Sequence, residues 1–300
     1  MTRSVGSRPG LTLVELIVVV GIISVILGLL LPGLEAAREA SRRTQCINSM
    51  RELGTSMHTY HNLNERFPPG VVDRSGPIRN EPVGYHVGWI VQLLPHLEQG
   101  MLAMGMSEYA GVYDPSNSAM RMARIGILLC PSDLGPEQGK DGAFGTNYKG
   151  CHHDVEAPID GDNQGVLFLN SRVRYDDIED GLSETIMLGE ALRNDSDLGW
   201  VSGTRGTLRN TGSPINLGNL WDLPAAQARW SDGTAILKPG PPPDPKRDTR
   251  VGGFGSRHPG GANFTFCDGS VRFLSETVER RTFQCLGHRS DGEMISLSNR

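Results

Sequence analysis

One continuous apolar run dominates the start of the chain. A polar leader, residues 1–10, ends at Gly10, and from Leu11 to Leu31 the positions are apolar with few breaks. About 21 residues at 1.5 Å each give roughly 31 Å of helix, enough to cross a bilayer. One carboxylate, Glu15, sits inside the run, and Pro32 closes it. An ionised group at that depth costs about 2.5–3.5 kcal/mol on insertion scales, so it is expected to have a job and a partner. An ordinary secretory signal fits poorly. Its apolar core is shorter, and no small-x-small cleavage site follows in Gly33-Leu34-Glu35-Ala36-Ala37-Arg38.

The pattern then narrows to a stripe. Cys46, Met50, Leu53, Met57 and Tyr60 recur at alternating spacings of four and three, one face of a helix. Arg42, Arg43, Arg51, Glu52 and Asn62 can face water. Pro32 is expected to kink the helix rather than end it, and Pro68-Pro69-Gly70 to stop it. The spacing predicts one helix from Leu11 to about Asn64, roughly 80 Å long.

Beyond residue 65 the pattern reads as short strands between turns. Residues 85–94 are β-prone, although 91–98 also fit a helix. Residues 124–130 read as an apolar strand leading into Pro131-Ser132-Asp133. Residues 165–169 and 185–188 read as buried strands. Asp180-Gly181 and Asp232-Gly233 are turn signals, and residues 238–246, with Pro239-Gly240-Pro241-Pro242-Pro243, fit an exposed loop. The clearest hairpin spans residues 263–274. Two strands, 263–267 and 270–274, flank Asp268-Gly269 as a two-residue primed turn, with Phe266 facing Val271 and Phe264 facing Phe273.

Composition supports a β-rich, loop-rich head. Glycine numbers 38 and proline 19. The formal net charge is −5 and no basic stretch stands out, which argues against a nucleic-acid partner. Charge does not orient the span: Arg3 and Arg8 precede it, while Arg38, Arg42 and Arg43 follow it.

The segment Gly10-Leu11-Thr12-Leu13-Val14-Glu15-Leu16, with Pro32 closing the run, resembles bacterial prepilins and pseudopilins. The resemblance implies cleavage after Gly10 by a prepilin peptidase and methylation of the new N-terminus at Leu11, where the family usually has Phe. It implies that Glu15 pairs with the amine of a neighbouring subunit. It also implies an inner-membrane, single-pass protein with a cytoplasmic N-terminus and a periplasmic or cell-surface head. His258 and Asp268-Gly269 match the H-x9-DG element of a pseudopilin-like family abundant in planctomycete-type bacteria. Cys46-Ile47-Asn48-Ser49-Met50, His58-Thr59-Tyr60-His61, Phe67-Pro68-Pro69-Gly70, Cys130-Pro131-Ser132-Asp133, Thr146-Asn147-Tyr148, Asp180-Gly181-Leu182-Ser183 and Glu293-Met294-Ile295-Ser296 resemble the same family. The expected architecture is α+β and pilin-like. A leader (1–10), a membrane-inserted helix (11–31) and its continuation (32–64) precede a head (65–300).

Candidate chemistry is sparse. Five cysteines cannot all pair internally. Cys46–Cys130 is the favoured disulfide, with Cys267–Cys285 and Cys130–Cys151 as rivals and buried free thiols as the alternative. Cys151-His152-His153-Asp154 and the pair His58 and His61 carry metal-competent groups, but adjacent residues rarely share an ion, and Tyr60 favours packing for the pair. Asp160-Gly161-Asp162-Asn163-Gln164-Gly165 resembles the start of a calcium loop, yet Ser171 stands where a bidentate Glu belongs. No cofactor and no resident metal is expected. His258 and Asp268 are expected to be structural, the histidine bonded to a turn carboxylate or lying at the hairpin's open end, and Gly269 to supply positive φ. No motif supports an enzyme.

The function expected is a structural subunit that joins copies of itself or other pseudopilins in a type II secretion-like or type IV pilus-like filament. The alternative is a membrane-anchored module that binds a glycan or envelope polymer, with Trp89, Trp200, Trp221 and Trp230 as a stacking platform.

Overall fold

Helix α1 runs from Leu13 to Asn64 and contains Pro32. The computed structural model describes residues 13–107, 109–139, 141–218, 229–236 and 249–293. Residues 1–43 and 44–300 form two units. In the first, the side chains of α1 from Leu13 to Leu31 are exposed on every side. This stretch is long and apolar enough to cross a membrane. After Pro32 the composition turns polar, with Glu35–Arg38 and Glu39–Arg42 pairs at i,i+3 spacing.

In the second unit, the rest of α1 packs by its stripe. Cys46, Met50, Leu53 and Met57 are fully buried. Gly54 lies where the helix meets the sheet: a Cβ there would approach Thr265 Cγ2 to 3.0 Å. The helix ends at Asn64 because Glu65 takes a left-handed conformation, φ 58°, before the prolines are reached.

The head continues with β1 (Val71–Val72), β2 (Val87–Gly88), α2 (Trp89–Leu93), α3 (Gly100–Met104) and α4 (Ser118–Arg121). Then come β3 (Tyr148–His153), β4 (Ile186–Glu190), β5 (Leu208–Asn210), β6 (Gly261–Phe266), β7 (Val271–Ser275) and α5 (Arg280–Gly287). β1 and β2 pair with each other, and the other five strands form one sheet in the order β5-β3-β4-β6-β7, antiparallel except for β3 with β5. The architecture is α+β, with a mixed sheet as its centre.

Two hydrophobic clusters build the head. One gathers Met50, Leu53, Met57, Trp89, Trp200 and Leu188. Thr265 Oγ1 donates to Met50 O at 3.4 Å and ties α1 to β6. The other gathers Phe254, Phe264, Phe266, Phe283 and Leu286. Phe264 meets Phe254 and Phe283 edge-on, with ring centroids 5.3 and 5.6 Å apart.

Several expected strands take other forms. Residues 89–93 are helical and 94–96 form a 3-10 turn, so the alternative helix over 91–98 is met only in its first half and begins two residues earlier, while residues 126–128 form a single 3-10 turn, so 124–130 is not a strand. Residues 165–169 are buried but bend. The N–H groups of Val166 and Leu167 both donate to Cys151 O, and Gly165 N–H donates to His152 O, so no ladder forms. The hairpin register is one residue off the expected pairing. Phe264 faces Arg272 and Thr265 faces Val271. The loop is Cys267-Asp268-Gly269, closed by Gly269 N–H to Phe266 O and Phe266 N–H to Ser270 O, both 2.9 Å. Only Gly269 has positive φ, 83°, so the turn is a three-residue loop with a bulge rather than a primed two-residue turn. Val271 and Phe273 therefore share the face opposite Phe264 and Phe266.

Candidate functional site

Gly10 and Leu11 lie outside the described residues. Glu15 stands in the first turn of α1.

The densest convergence of motif residues surrounds Cys130. Cys46 and Cys130 form a disulfide, Cα–Cα 5.4 Å. It joins α1 to the head across 84 positions of sequence. Cys130 leads a tight turn, closed by Asp133 N–H to Cys130 O at 3.1 Å. Asn147 Oδ1 accepts from Cys130 N–H at 3.0 Å, and Asn147 Nδ2 donates to Asp133 Oδ2 at 2.7 Å. Asp133 also accepts from the N–H groups of Gly135 and Arg193. Burial pushes this carboxyl up, but the bonds from Asn147, Gly135 and Arg193 and the Arg193 charge outweigh it and hold its pKa below the ordinary value. A cavity of about 540 Å³ opens beside Cys130, lined also by Ser49, Arg124, Asp133, Glu137 and Arg193.

His258 enters the same region from the segment before β6. Its Nε2 lies 3.3 Å from Glu190 Oε1 and 3.6 Å from Cys130 Sγ, and the side chain is buried. The carboxylate that faces His258 is thus Glu190 at the end of β4, not the turn residue Asp268; His258 does stand at the hairpin's open end, just before the first pair Gly261–Ser275, but its side chain is buried there. Asp268 serves its own turn, accepting from Ser270 N–H at 2.8 Å, and lies 3.7 Å from Arg272. Glu190 Oε2 is held by Asn263 through N–H at 2.8 Å and Nδ2 at 3.1 Å.

The other candidate groups are dispersed. His58 Nδ1 bonds Tyr175 Oη at 2.7 Å, and His61 stacks on the Tyr175 ring at 3.5 Å, so both pack against the head. Cys151 Sγ donates to Gly287 O and His153 O, His152 bonds Asn163, and His153 bonds Asp154, so the four adjacent residues do not converge. In the loop resembling a calcium site, Asn163 Oδ1 accepts from Asp160 N–H and faces His152 Nδ1, and Gln164 donates to Asp162 O. These side chains brace the loop itself. Cys151, Cys267 and Cys285 are free, so neither rival disulfide forms. Trp89, Trp200 and Trp230 are buried and form no surface platform. Trp221 lies outside the described residues.

Glu190, Asn147, Arg193 and Asn263 had no assigned role in the sequence reading. Asn147 could have been found from Thr146-Asn147-Tyr148. Glu190, closing the apolar segment 186–188, offered only a lone carboxylate after a buried strand.

No curated protein and no solved structure matches the chain. One family model matches residues 35–281, most of the head and the helix continuation. The chain belongs to that family, described as "Protein of unknown function (DUF1559)" and typical of pilin-like bacterial proteins.

Proposed function

We propose that this protein is a pseudopilin-like structural subunit. The precursor sits in the inner membrane by residues 11–31, with its N-terminus in the cytoplasm and its head outside. A prepilin peptidase cuts between Gly10 and Leu11 and methylates the new N-terminus. Glu15 then neutralises the amine of a neighbouring subunit as copies of this chain, or other pseudopilins, join a type II secretion-like or type IV pilus-like filament.

The observation that carries this reading is the continuity of α1. A fully exposed apolar segment with one carboxylate in its first turn runs on into a helix whose buried stripe belongs to the head. A cleaved signal would not need that continuation, and a plain anchor would not need Glu15. Trp89, Trp200 and Trp230 are buried, which favours this reading over a binding module built on an aromatic platform.

The test is N-terminal mapping of the mature chain together with shearing of cells. The expected result is a mature protein beginning at Leu11, recovered in sheared filaments. A mature chain beginning at Met1 or beyond Pro32 overturns the reading.

A further inference from the structure

Four side chains from distant parts of the head converge on one point. Cys46 Sγ, Cys130 Sγ, a Glu190 carboxylate oxygen and a His258 ring nitrogen all lie within 4.8 Å of one another. Their residues are 0, 6, 2 and 1 % exposed, so the cluster is buried, with Cys130 its most exposed member. We infer that, when the Cys46–Cys130 disulfide is reduced, this cluster is a zinc site of two thiolates, one imidazole and one carboxylate.

The geometry carries the inference. Zinc takes ligands at about 2.3 Å for sulfur and about 2.0–2.1 Å for nitrogen and oxygen, so a tetrahedron has S···N edges of about 3.6 Å and N···O edges of about 3.3–3.4 Å. The Cys130 Sγ to His258 Nε2 distance is 3.6 Å and the His258 Nε2 to Glu190 Oε1 distance is 3.3 Å. Both neighbours approach the same nitrogen. A Cys-His-carboxylate relay would use the two opposite ring nitrogens, one for the thiol and one for the carboxylate. Approach to a single nitrogen is instead the arrangement of groups gathered around a shared centre.

The surroundings fit the same use. Glu190 Oε1 accepts no hydrogen bond among the described residues, while Oε2 is fixed by Asn263. The carboxylate is therefore oriented with one oxygen held for the centre. Asn263 on Glu190 and Asn147 on the Cys130 backbone supply the outer bonds that orient metal ligands. The cavity beside Cys130 supplies an approach for ion and reductant.

The chemistry balances with a dithiol as reductant. The Sγ–Sγ bond breaks as two electrons and two protons pass from the dithiol, which closes into its own disulfide. The sulfurs then separate towards the roughly 3.8 Å edge of a zinc tetrahedron. Zn²⁺ displaces the two thiol protons to solvent, and the imidazole binds as the neutral base. Disulfide and zinc are thus alternative occupants of one site, independent of filament assembly.

The test uses the full chain in detergent micelles. It is reduced with dithiothreitol, freed of reductant under anaerobic conditions and titrated with Co²⁺, then with Zn²⁺. The expected result is one Co²⁺ per chain with thiolate-to-cobalt charge-transfer absorption, displaced by Zn²⁺. The oxidised chain takes up none. Glu190→Gln and His258→Gln each weaken uptake by at least about tenfold, Cys46→Ser abolishes the absorption, and Cys285→Ser leaves it intact. Circular dichroism follows the fold, and any structure lost on reduction returns with zinc. A reduced chain without the absorption, equal uptake by the oxidised chain, or lost structure that zinc does not restore overturns the inference.

Discussion

Arg193 Nε lies 3.3 Å from Asp133 Oδ2 in a pair almost wholly removed from water, and this pair braces the turn that presents Cys130. Arg193 also donates from Nη2 to Asp133 O at 2.7 Å and Gly135 O at 3.0 Å. Asp133→Ala leaves a buried guanidinium without its carboxylate, a change that costs about 3–5 kcal/mol. Asp133→Ala combined with Arg193→Met should recover part of that loss, because the stranded charge is gone. Thermal melts of both variants against the parent measure it; equal losses in the two variants would show that the charge is not the cause.

The hairpin loop makes a separate prediction. Gly269 has φ 83°, and a Cβ there would approach His58 Nε2 to 3.1 Å. Gly269→Val should cost about 1–3 kcal/mol from backbone strain alone. Asp268 is not in the left-handed region, and its carboxylate holds Ser270 N–H. Asp268→Gly should therefore destabilise, whereas a primed turn with positive φ at this position would be stabilised by it. The urea midpoint of Asp268→Gly decides between the two loops.

The stripe of α1 was legible because a helical period repeated over four turns leaves little choice. The register of β6 was not. All six of its residues are buried, so no alternation marks which face is which, and the bulge at Gly269 shifts the pairing by one. Residues 124–130 failed for a related reason: a short apolar run fits a strand or a buried turn equally well. Here Leu128 O is taken by Asn147 N–H and Thr146 Oγ1, which fixes the turn. At the site, Cys46, Cys130 and His258 were visible as motif residues. Their meeting with Glu190 was not, because it depends on the folding of segments 128 positions apart in sequence. For the same reason His258→Gln, expected to be mild from the hairpin pattern alone, should cost at least about 1 kcal/mol at its buried place beside Glu190.

The disulfide should contribute strongly to the head. Closing a loop with a sequence separation of 84 removes unfolded-state entropy worth about 4–5 kcal/mol in the chain-entropy model. Cys46→Ser with Cys130→Ser should lower the stability of the metal-free oxidised protein by that order. Matched melts in the presence of a chelator measure it, and a shift near zero would mean that the pair is not closed in solution.

His152 sets a pH window. Burial first, and then the neighbouring His153 and Arg209, lower its pKa to about 3 despite the bond to Asn163. The unfolded chain takes up this proton near pH 6.5, and the folded chain resists it. Stability is therefore fully present above pH 6.5 and is lost as pH falls towards 3, at up to about 1.4 kcal/mol per unit. His152→Gln should flatten this part of the profile. Melting temperatures between pH 7 and 4 check it, and parallel slopes in parent and variant would rule His152 out as the source.

Glu15 separates insertion from assembly. A carboxylate in the apolar segment makes insertion harder, so Glu15→Ala should insert at least as well as the parent. The same change removes the proposed partner for a neighbouring subunit's amine, which would then be left in hydrocarbon without a counter-charge. The expected phenotype is therefore a precursor at normal level in the membrane, still cut after Gly10, with filament yield reduced at least about tenfold, as loss of more than 1.4 kcal/mol per subunit contact implies. Glu15→Asp keeps the charge one methylene shorter and should fall between the two. Membrane fractionation, N-terminal mapping and quantified shearing report on the three steps separately. Normal filament yield from Glu15→Ala, with insertion and cleavage intact, would remove the assembly role from Glu15.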